Sequence, residues 1–317
     1  MHIAIIGGTG HIGTYLVPEL VALGHDVTVV SRGERRPYQD HPAWQHVRYV
    51  TMDRQKDEEN AEFGPKIRAL QADVVVDLIC YTEASARQMV DALRGHVQHF
   101  LHCGTIWIYG HSTSVPATED QPHRPFGDYG TRKAAIEAYL LREARQNGFP
   151  ATMLHPGHIV GPGWAPINPQ GNGNLEVFSK LARGETLLLP HFGMETLHHV
   201  HAADVAQSFV RAIQHWSTSV GESFHVVSPA ALTLRGFAEA VAAYFGQEPK
   251  LEFVPWETFS TAVGEKDAQG TWEHVYRSPN ASIDKARRLI EYEPRYTSLQ
   301  GVFEALDWLA AEGKIAT

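Results

Sequence analysis

Ile3-Ala4-Ile5-Ile6-Gly7-Gly8-Thr9-Gly10-His11-Ile12-Gly13 stands near the start of the chain, and its reading decides the fold. Four apolar residues bounded by glycine suit a strand buried on both faces. Glycines at 7, 10 and 13 give a GxxGxxG spacing. From His11 onward, Ile12, Leu16, Leu20 and Leu23 recur at helical spacing, and Gly24 ends the helix. A tight strand-to-helix turn needs glycine, and so does backbone that approaches a pyrophosphate closely. The helix start adds free N–H groups and a partial positive charge for the anion. The stretch reads as the phosphate loop of a dinucleotide site, with Gly7, Thr9, Gly10, His11, Ile12 and Gly13 as its contacts.

Working outward, apolar strand-like runs fall at 27–30, 47–52, 74–79, 100–103 and 152–155, with helical spacing at 83–94 and 129–146. Alternating strands and helices predict an α/β fold, a doubly wound parallel sheet of Rossmann type. After Pro156 the pattern changes. Residues 157–173 are rich in Gly, Pro and Asn, and shorter mixed elements follow: helices at 203–215, 234–245, 283–290 and 299–311 and a strand at 224–227. We expect residues 1–156 to form the dinucleotide-binding domain. Residues 157–317 are expected to form mainly a smaller C-terminal substrate-binding domain, partly interleaved with the first.

The second strand should end in the residue that meets the adenosine ribose. An acidic residue there accepts from the 2′-hydroxyl of NAD. This chain has Val30-Ser31-Arg32-Gly33, with Arg35 and Arg36 nearby. Ser31 and Arg32 suit a 2′-phosphate, so NADP is slightly favoured over NAD. Asp53, after the third strand, is placed to accept from the adenine amino group.

Tyr129-Gly130-Thr131-Arg132-Lys133 puts Tyr and Lys on one helical face. An ammonium near a phenol should lower the Tyr129 pKa towards working pH, and such a Tyr moves a proton to or from a carbinol oxygen.

Together, GxxGxxG and the later Tyr-xxx-Lys resemble the extended short-chain dehydrogenase/reductase superfamily, in its NAD-dependent epimerase/dehydratase branch. Cys103-Gly104-Thr105-Ile106-Trp107-Ile108-Tyr109-Gly110 is similar to that family's strand end with a Ser or Thr four residues before Tyr-Gly. Residues 156–163 and 200–206 resemble further segments, and the motifs keep the family's order over most of the chain. The resemblance implies a catalytic set: Tyr129 as general acid/base, Lys133 to lower its pKa and hold the nicotinamide ribose, and Thr105 on the substrate oxygen. Pro156 joins the cofactor contacts on the same ground. The resemblance also implies a homodimer through helices at about 83–94 and 129–146.

Two departures narrow the chemistry. Related dehydratases carry Asp-Glu directly after the catalytic Thr, and related decarboxylating members carry Glu at the second position; here Ile106 and Trp107 stand there, and neither transfers a proton. Sugar epimerisation by transient oxidation is the leading reading. Reduction of a ketone or aldehyde with NADPH, and a non-catalytic dinucleotide-binding or sensing protein, are the alternatives. Where nucleotide-sugar epimerases often place a phosphate-pairing Arg, this chain has Leu197, which turns the expectation to a smaller polyol, sugar or ketone. Arg183, Arg211 or Arg277 could supply a cation from another direction.

The 19 histidines are conspicuous. His199 and His201 would share one face of a strand, yet no Cys or acidic third ligand lies at useful spacing, so no metal is expected. His155, His158, Asn168, Asn172, His199 and His201 are instead candidates for the substrate cleft, and 161–174 for a flap over it. Trp256, Trp272 and Trp308 are read as packing residues. The net charge of −9 argues against nucleic acid and anionic membrane as partners. Cys80 and Cys103 suit buried thiols of a reducing compartment, and no signal peptide or membrane span is read, so a cytoplasmic location is expected.

Overall fold

A computed structural model describes residues 1–316. Its centre is a sheet of seven parallel strands: β1 (His2–Ile6), β2 (Asp26–Ser31), β3 (Arg48–Thr51), β4 (Val74–Asp77), β5 (His99–Cys103), β6 (Ala151–Pro156) and β7 (Ser223–Val226). The order across the sheet is β7-β6-β5-β4-β1-β2-β3. The chain reverses direction across the sheet between β1 and β4, and the crevice outside the C-terminal strand ends at that point is where such folds bind ligands.

The apolar runs are explained by double-sided burial: Ile3, Ile5, Val29, Val76 and Leu101 are fully buried. Helix α1 (His11–Ala22) packs with a later helix, Ala202–Gln214, on one face. Helices α2 (Glu83–Leu93) and α3 (Gly127–Asn147) cover the other. Gly148, at φ +68°, ends α3 in the left-handed conformation that glycine adopts without strain. A third core gathers Phe178, Leu189, Phe237 and Leu306 from the second half of the chain.

The interleaving is deep. The strand expected at 224–227 is β7 of the central sheet, hydrogen-bonded to β6, and Phe209, Ile283, Ile290 and Tyr292 belong to the first core. Two helices were not foreseen in the sequence, Trp256–Val263 and α4 (Glu265–Arg277), and α4 brings His274 and Arg277 to Trp107, just after β5. The α4 stretch is rich in charged and polar residues, which hid its amphipathic face. Among the described residues no helix is long and apolar enough to cross a membrane.

Candidate active site

The phosphate loop is closed on itself. Gly7 N–H donates to Val30 O (2.9 Å), and Gly10 N–H donates to Gly7 O (3.0 Å). A Cβ at Gly13 would stand 2.0 Å from the Gly8 carbonyl oxygen, so only glycine lets α1 seat against the turn. Among the described residues the N–H groups of His11 and Ile12, at the start of α1, find no acceptor. Free helix-start donors above a glycine turn fit a pyrophosphate, and the loop is suited to a dinucleotide. The His11 ring turns away from the loop. It stacks on Trp164 (5.5 Å between centroids, 13°) and meets Tyr38 edge-on (5.6 Å); burial holds it neutral, with its pKa lowered to about 4. The 161–164 loop thereby covers the start of α1.

Ser31 ends β2, and its hydroxyl accepts from Gly33 N–H (3.2 Å). Arg32 pairs with Glu34 in the open (3.0 Å) and is free to exchange that partner. Asp53 caps the short helix Arg54–Glu59, accepting from Lys56 N–H (3.4 Å). The neighbouring Arg54 was not singled out from the sequence. It lies almost buried along the crevice, bound to Asp77 (2.7 Å) and Glu58 (2.6 Å).

Lys133 is buried, and its ammonium donates to the carbonyls of Cys80 (2.8 Å) and Cys103 (2.7 Å). It thereby ties α3 to the ends of β4 and β5. Its Nζ lies 5.9 Å from the Tyr129 ring centroid. The expected lowering of the Tyr129 pKa is not realised in this geometry. Partial loss of water around the phenol raises its pKa, Cys103 and Tyr81 add to that, and the Thr105 side chain opposes it. Lys133 spends its charge on two carbonyls instead.

Thr105 follows β5 and starts a single 3₁₀ turn, Ile106–Tyr109. Its Oγ accepts from Trp107 N–H (3.3 Å), and its own N–H donates to His155 Nδ1 (3.0 Å). Trp107 forms the next wall, edge-on to Tyr129 (5.9 Å), His158 (6.1 Å) and His274 (5.1 Å). Arg277 is held between Trp107 and Phe126, its guanidinium 3.8 Å from each ring centroid. It is 2% exposed and donates to the carbonyls of Glu273 (2.6 Å) and Phe126 (2.8 Å), while Nε finds no partner among the described residues. Burial lowers its pKa to about 10, and among the described residues no carboxylate pairs with it. Arg183 and Arg211 are engaged elsewhere, with Glu176, Glu185 and Glu291.

His199 is buried and His158 half-buried beside this wall, 5.9 Å apart between ring centroids, and among the described residues His158 Nε2 and His199 Nδ1 have no partner. Burial lowers His199 to about 3 and puts His158 well below its usual range. Two expected substrate contacts lie elsewhere. His201 caps Ala202–Gln214 through Ala203 N–H (3.0 Å), meets Glu304 (3.1 Å) and stacks on Tyr296, so its ring is spent on packing. Asn168 is buried, with its amide bound to Asn172 and Asn174 and its oxygen to Gln170 N–H and Asn172 N–H, so it shapes its own loop. Asn172, expected in the same cleft or in solvent, ties that loop to Thr271 of α4 (3.0 Å). Trp272 is 39% exposed and stacked on Tyr276 rather than packed inside.

Fold and site define a Rossmann-type nicotinamide-dependent enzyme, with a Tyr-Lys helix beside the phosphate loop. The chain belongs to the NAD dependent epimerase/dehydratase family, whose model matches residues 3–226. It is 24% identical to the UDP-glucose 4-epimerase of Mycolicibacterium smegmatis, over 97% of this chain and 98% of that one. It is also 24% identical to the chloroplast stem-loop binding protein of 41 kDa b of Arabidopsis thaliana, over 96% of this chain and 78% of the relative. Among solved structures, UDP-glucose 4-epimerase from Thermotoga maritima superposes with a TM-score of 0.73 at 20% identity, covering 98% of this chain and 99% of that one. The dTDP-glucose 4,6-dehydratase of Bacillus anthracis, solved with NAD, gives 0.73 at 18% identity, covering 99% and 98%.

Proposed function

We propose that the protein is a sugar epimerase that works by transient oxidation, with Thr105, Tyr129 and Lys133 as its catalytic set. The observation that carries this reading is their convergence at the C-terminal edge of the sheet, with Ile106 and Trp107, which transfer no proton, directly after Thr105. Tyr129 takes the proton from a substrate hydroxyl and returns it. Thr105 holds that oxygen by hydrogen bonding, and Lys133 fixes the helix that carries Tyr129. The free N–H groups of His11 and Ile12 hold the pyrophosphate. Ser31 and Arg32 meet the ribose end and favour NADP. When bound, the nicotinamide supplies the hydride acceptor and donor.

The substrate is a sugar that carries an anion. Arg277 is a buried cation at the site wall with no carboxylate paired to it among the described residues, and a guanidinium is suited to phosphate or carboxylate. Leu197 offers no charge, but α4 brings one from the other side. Reduction of a ketone with NADPH uses the same residues and is the second reading, favoured by Ser31 and Arg32. The charge of −9 runs against a stem-loop or other polyanion as partner. Residues 1–156 serve the cofactor and 157–317 mainly the substrate. The chain pairs as a homodimer through α2 and α3, which light scattering would test.

Chromatography of nucleotide released on denaturation, followed by incubation with nucleotide hexoses, tests the reading. Retained NAD(P) and conversion without net change at 340 nm are expected. Stoichiometric loss of NADPH absorbance with ketones would establish the reductase instead. Tyr129→Phe should cut turnover by at least about 100-fold, the scale of a lost general acid/base. Unchanged turnover in that variant overturns the assignment.

A further inference from the structure

We infer that Glu137 and His155 are positioning residues for the Thr105–Tyr129 pair, joined in a buried hydrogen-bonded strut from helix α3 to the strand end that carries Thr105. The inference rests on the catalytic set proposed above. Tyr129, Lys133 and Glu137 follow one another at four-residue steps, so α3 presents all three along one face. Glu137 Oε1 lies 3.0 Å from His155 Nε2, and His155 Nδ1 accepts the Thr105 N–H at 3.0 Å. Because Nδ1 accepts, the ring proton sits on Nε2 and points at the carboxylate. Glu137 is 1% exposed and His155 fully buried.

The backbone is shaped to admit this ring. A Cβ at Gly104 would stand 2.2 Å from His155 Nδ1, so any larger residue there would push the imidazole away from Thr105. The other side of Thr105 is fixed as well. Its Oγ accepts from Trp107 N–H, which leaves the hydroxyl proton free to be donated to another oxygen. With Lys133 on the Cys103 carbonyl, α3 grips residues 103–105 at two separate points.

Energetics favour a purpose beyond filling space. A buried carboxylate is costly, and well-packed apolar residues of similar volume are often as stable or more so. Burial works to raise the Glu137 pKa, but the Nε2–H bond from His155 and the neighbouring His123 (3.3 Å) override it and hold it below the usual carboxylate range. The acceptor is therefore charged, and such bonds are shorter and stronger than neutral ones. What that strength secures is the distance between a helix and a strand end, which is the distance between Tyr129 and Thr105.

The test compares Glu137→Gln, which keeps a carbonyl acceptor for Nε2–H, with Glu137→Leu, which removes it. In ¹⁵N-labelled protein saturated with NADP⁺, exchange of the Thr105 N–H should be as slow in E137Q as in the parent and clearly faster in E137L. On the substrate found in the hexose panel, E137L should lose about 100-fold in kcat, the scale of a roughly 1 Å misplacement. E137Q should lose less than about tenfold on the same scale. NADP⁺ affinity should not change in either. Combined with Thr105→Ala, E137L should cost nothing further, because its effect passes through Thr105. Parental exchange of Thr105 in E137L, or additive losses in the double variant, would overturn the strut. Should E137L fail to fold, Glu137→Asp keeps the charge, shortens the reach and carries the same prediction. Full turnover in both Thr105→Ala and Tyr129→Phe would instead remove the catalytic set, with the exchange measurement still deciding the strut.

Discussion

At the scale of single residues, chemistry legible in the sequence and chemistry created by folding meet in Tyr129 and Arg32. The spacing Tyr129–Lys133 was readable because helical geometry alone puts i and i+4 on one face. The state of the phenol was not, because it depends on where Lys133 spends its charge, and the carbonyls of Cys80 and Cys103 come from strands distant in sequence. Arg32 is open to solvent with one exposed acidic partner, so that pair contributes little and is readily exchanged. Arg32→Ala is therefore expected to weaken NADPH binding by about tenfold, one charge-assisted hydrogen bond, and to leave NADH binding unchanged. Fluorescence titration with both nucleotides checks this.

At the scale of elements, α4 and the 168–174 loop act as one unit. The buried amides of Asn168 and Asn172 hold the loop, and Asn172 fastens it to α4, which carries His274 and Arg277 to Trp107. Asn168→Ala would strand the backbone N–H groups of Gln170 and Asn172 and remove the donor to the Asn174 carbonyl. The expected cost is about 3 kcal/mol, the scale of several buried polar groups left unsatisfied, read from urea unfolding. Arg277→Met keeps an apolar stem between Trp107 and Phe126 and removes the charge. It should raise KM for a phosphate-bearing sugar; the lost bonds to the Glu273 and Phe126 carbonyls should also lower the melting temperature modestly, a separate readout. A fall in stability without a change in KM would make Arg277 a packing residue. The polar composition of α4 concealed all of this, since its buried face is built from Ala268, Thr271, Val275 and Arg277 rather than from large apolar side chains.

At the scale of the whole molecule, the histidines dominate the response to pH. Burial lowers His11, His99, His198 and His201 to about 4 and His199 and His225 to about 3. Below the ordinary His value of about 6.5, the unfolded chain binds protons that the folded one refuses, so stability falls as pH drops. Each such ring contributes up to about 1.4 kcal/mol per pH unit between about 6.5 and its folded value. Melting temperature should accordingly decline steeply from pH 6.5 to 4, before most carboxylates titrate. Glu137 adds to the loss at lower pH, because its carboxyl is depressed from 4.5 to about 2 and its contribution disappears between those values. A melting temperature flat from pH 7 to 5 would mean that the rings are solvated or already charged in the fold.

By itself the sequence determined the phosphate loop, the doubly wound sheet and the candidate set Thr105, Tyr129 and Lys133. The loop, the sheet and the Tyr129–Lys133 pair rest on short-range rules: glycine where a Cβ cannot fit, apolar runs for double-sided burial, and helical spacing for shared faces; Thr105 rests on the family resemblance. Only the tertiary structure decided that β7 comes from residue 223 onward and that His201 and Asn168 serve the fold. It also decided that Arg277 reaches the site and that Glu137 and His155 brace Thr105. The reach of Arg277 and the brace on Thr105 depend on contacts between residues 18 to more than 150 positions apart, where a buried polar group takes whichever partner the packed fold presents, and no local pattern encodes that choice.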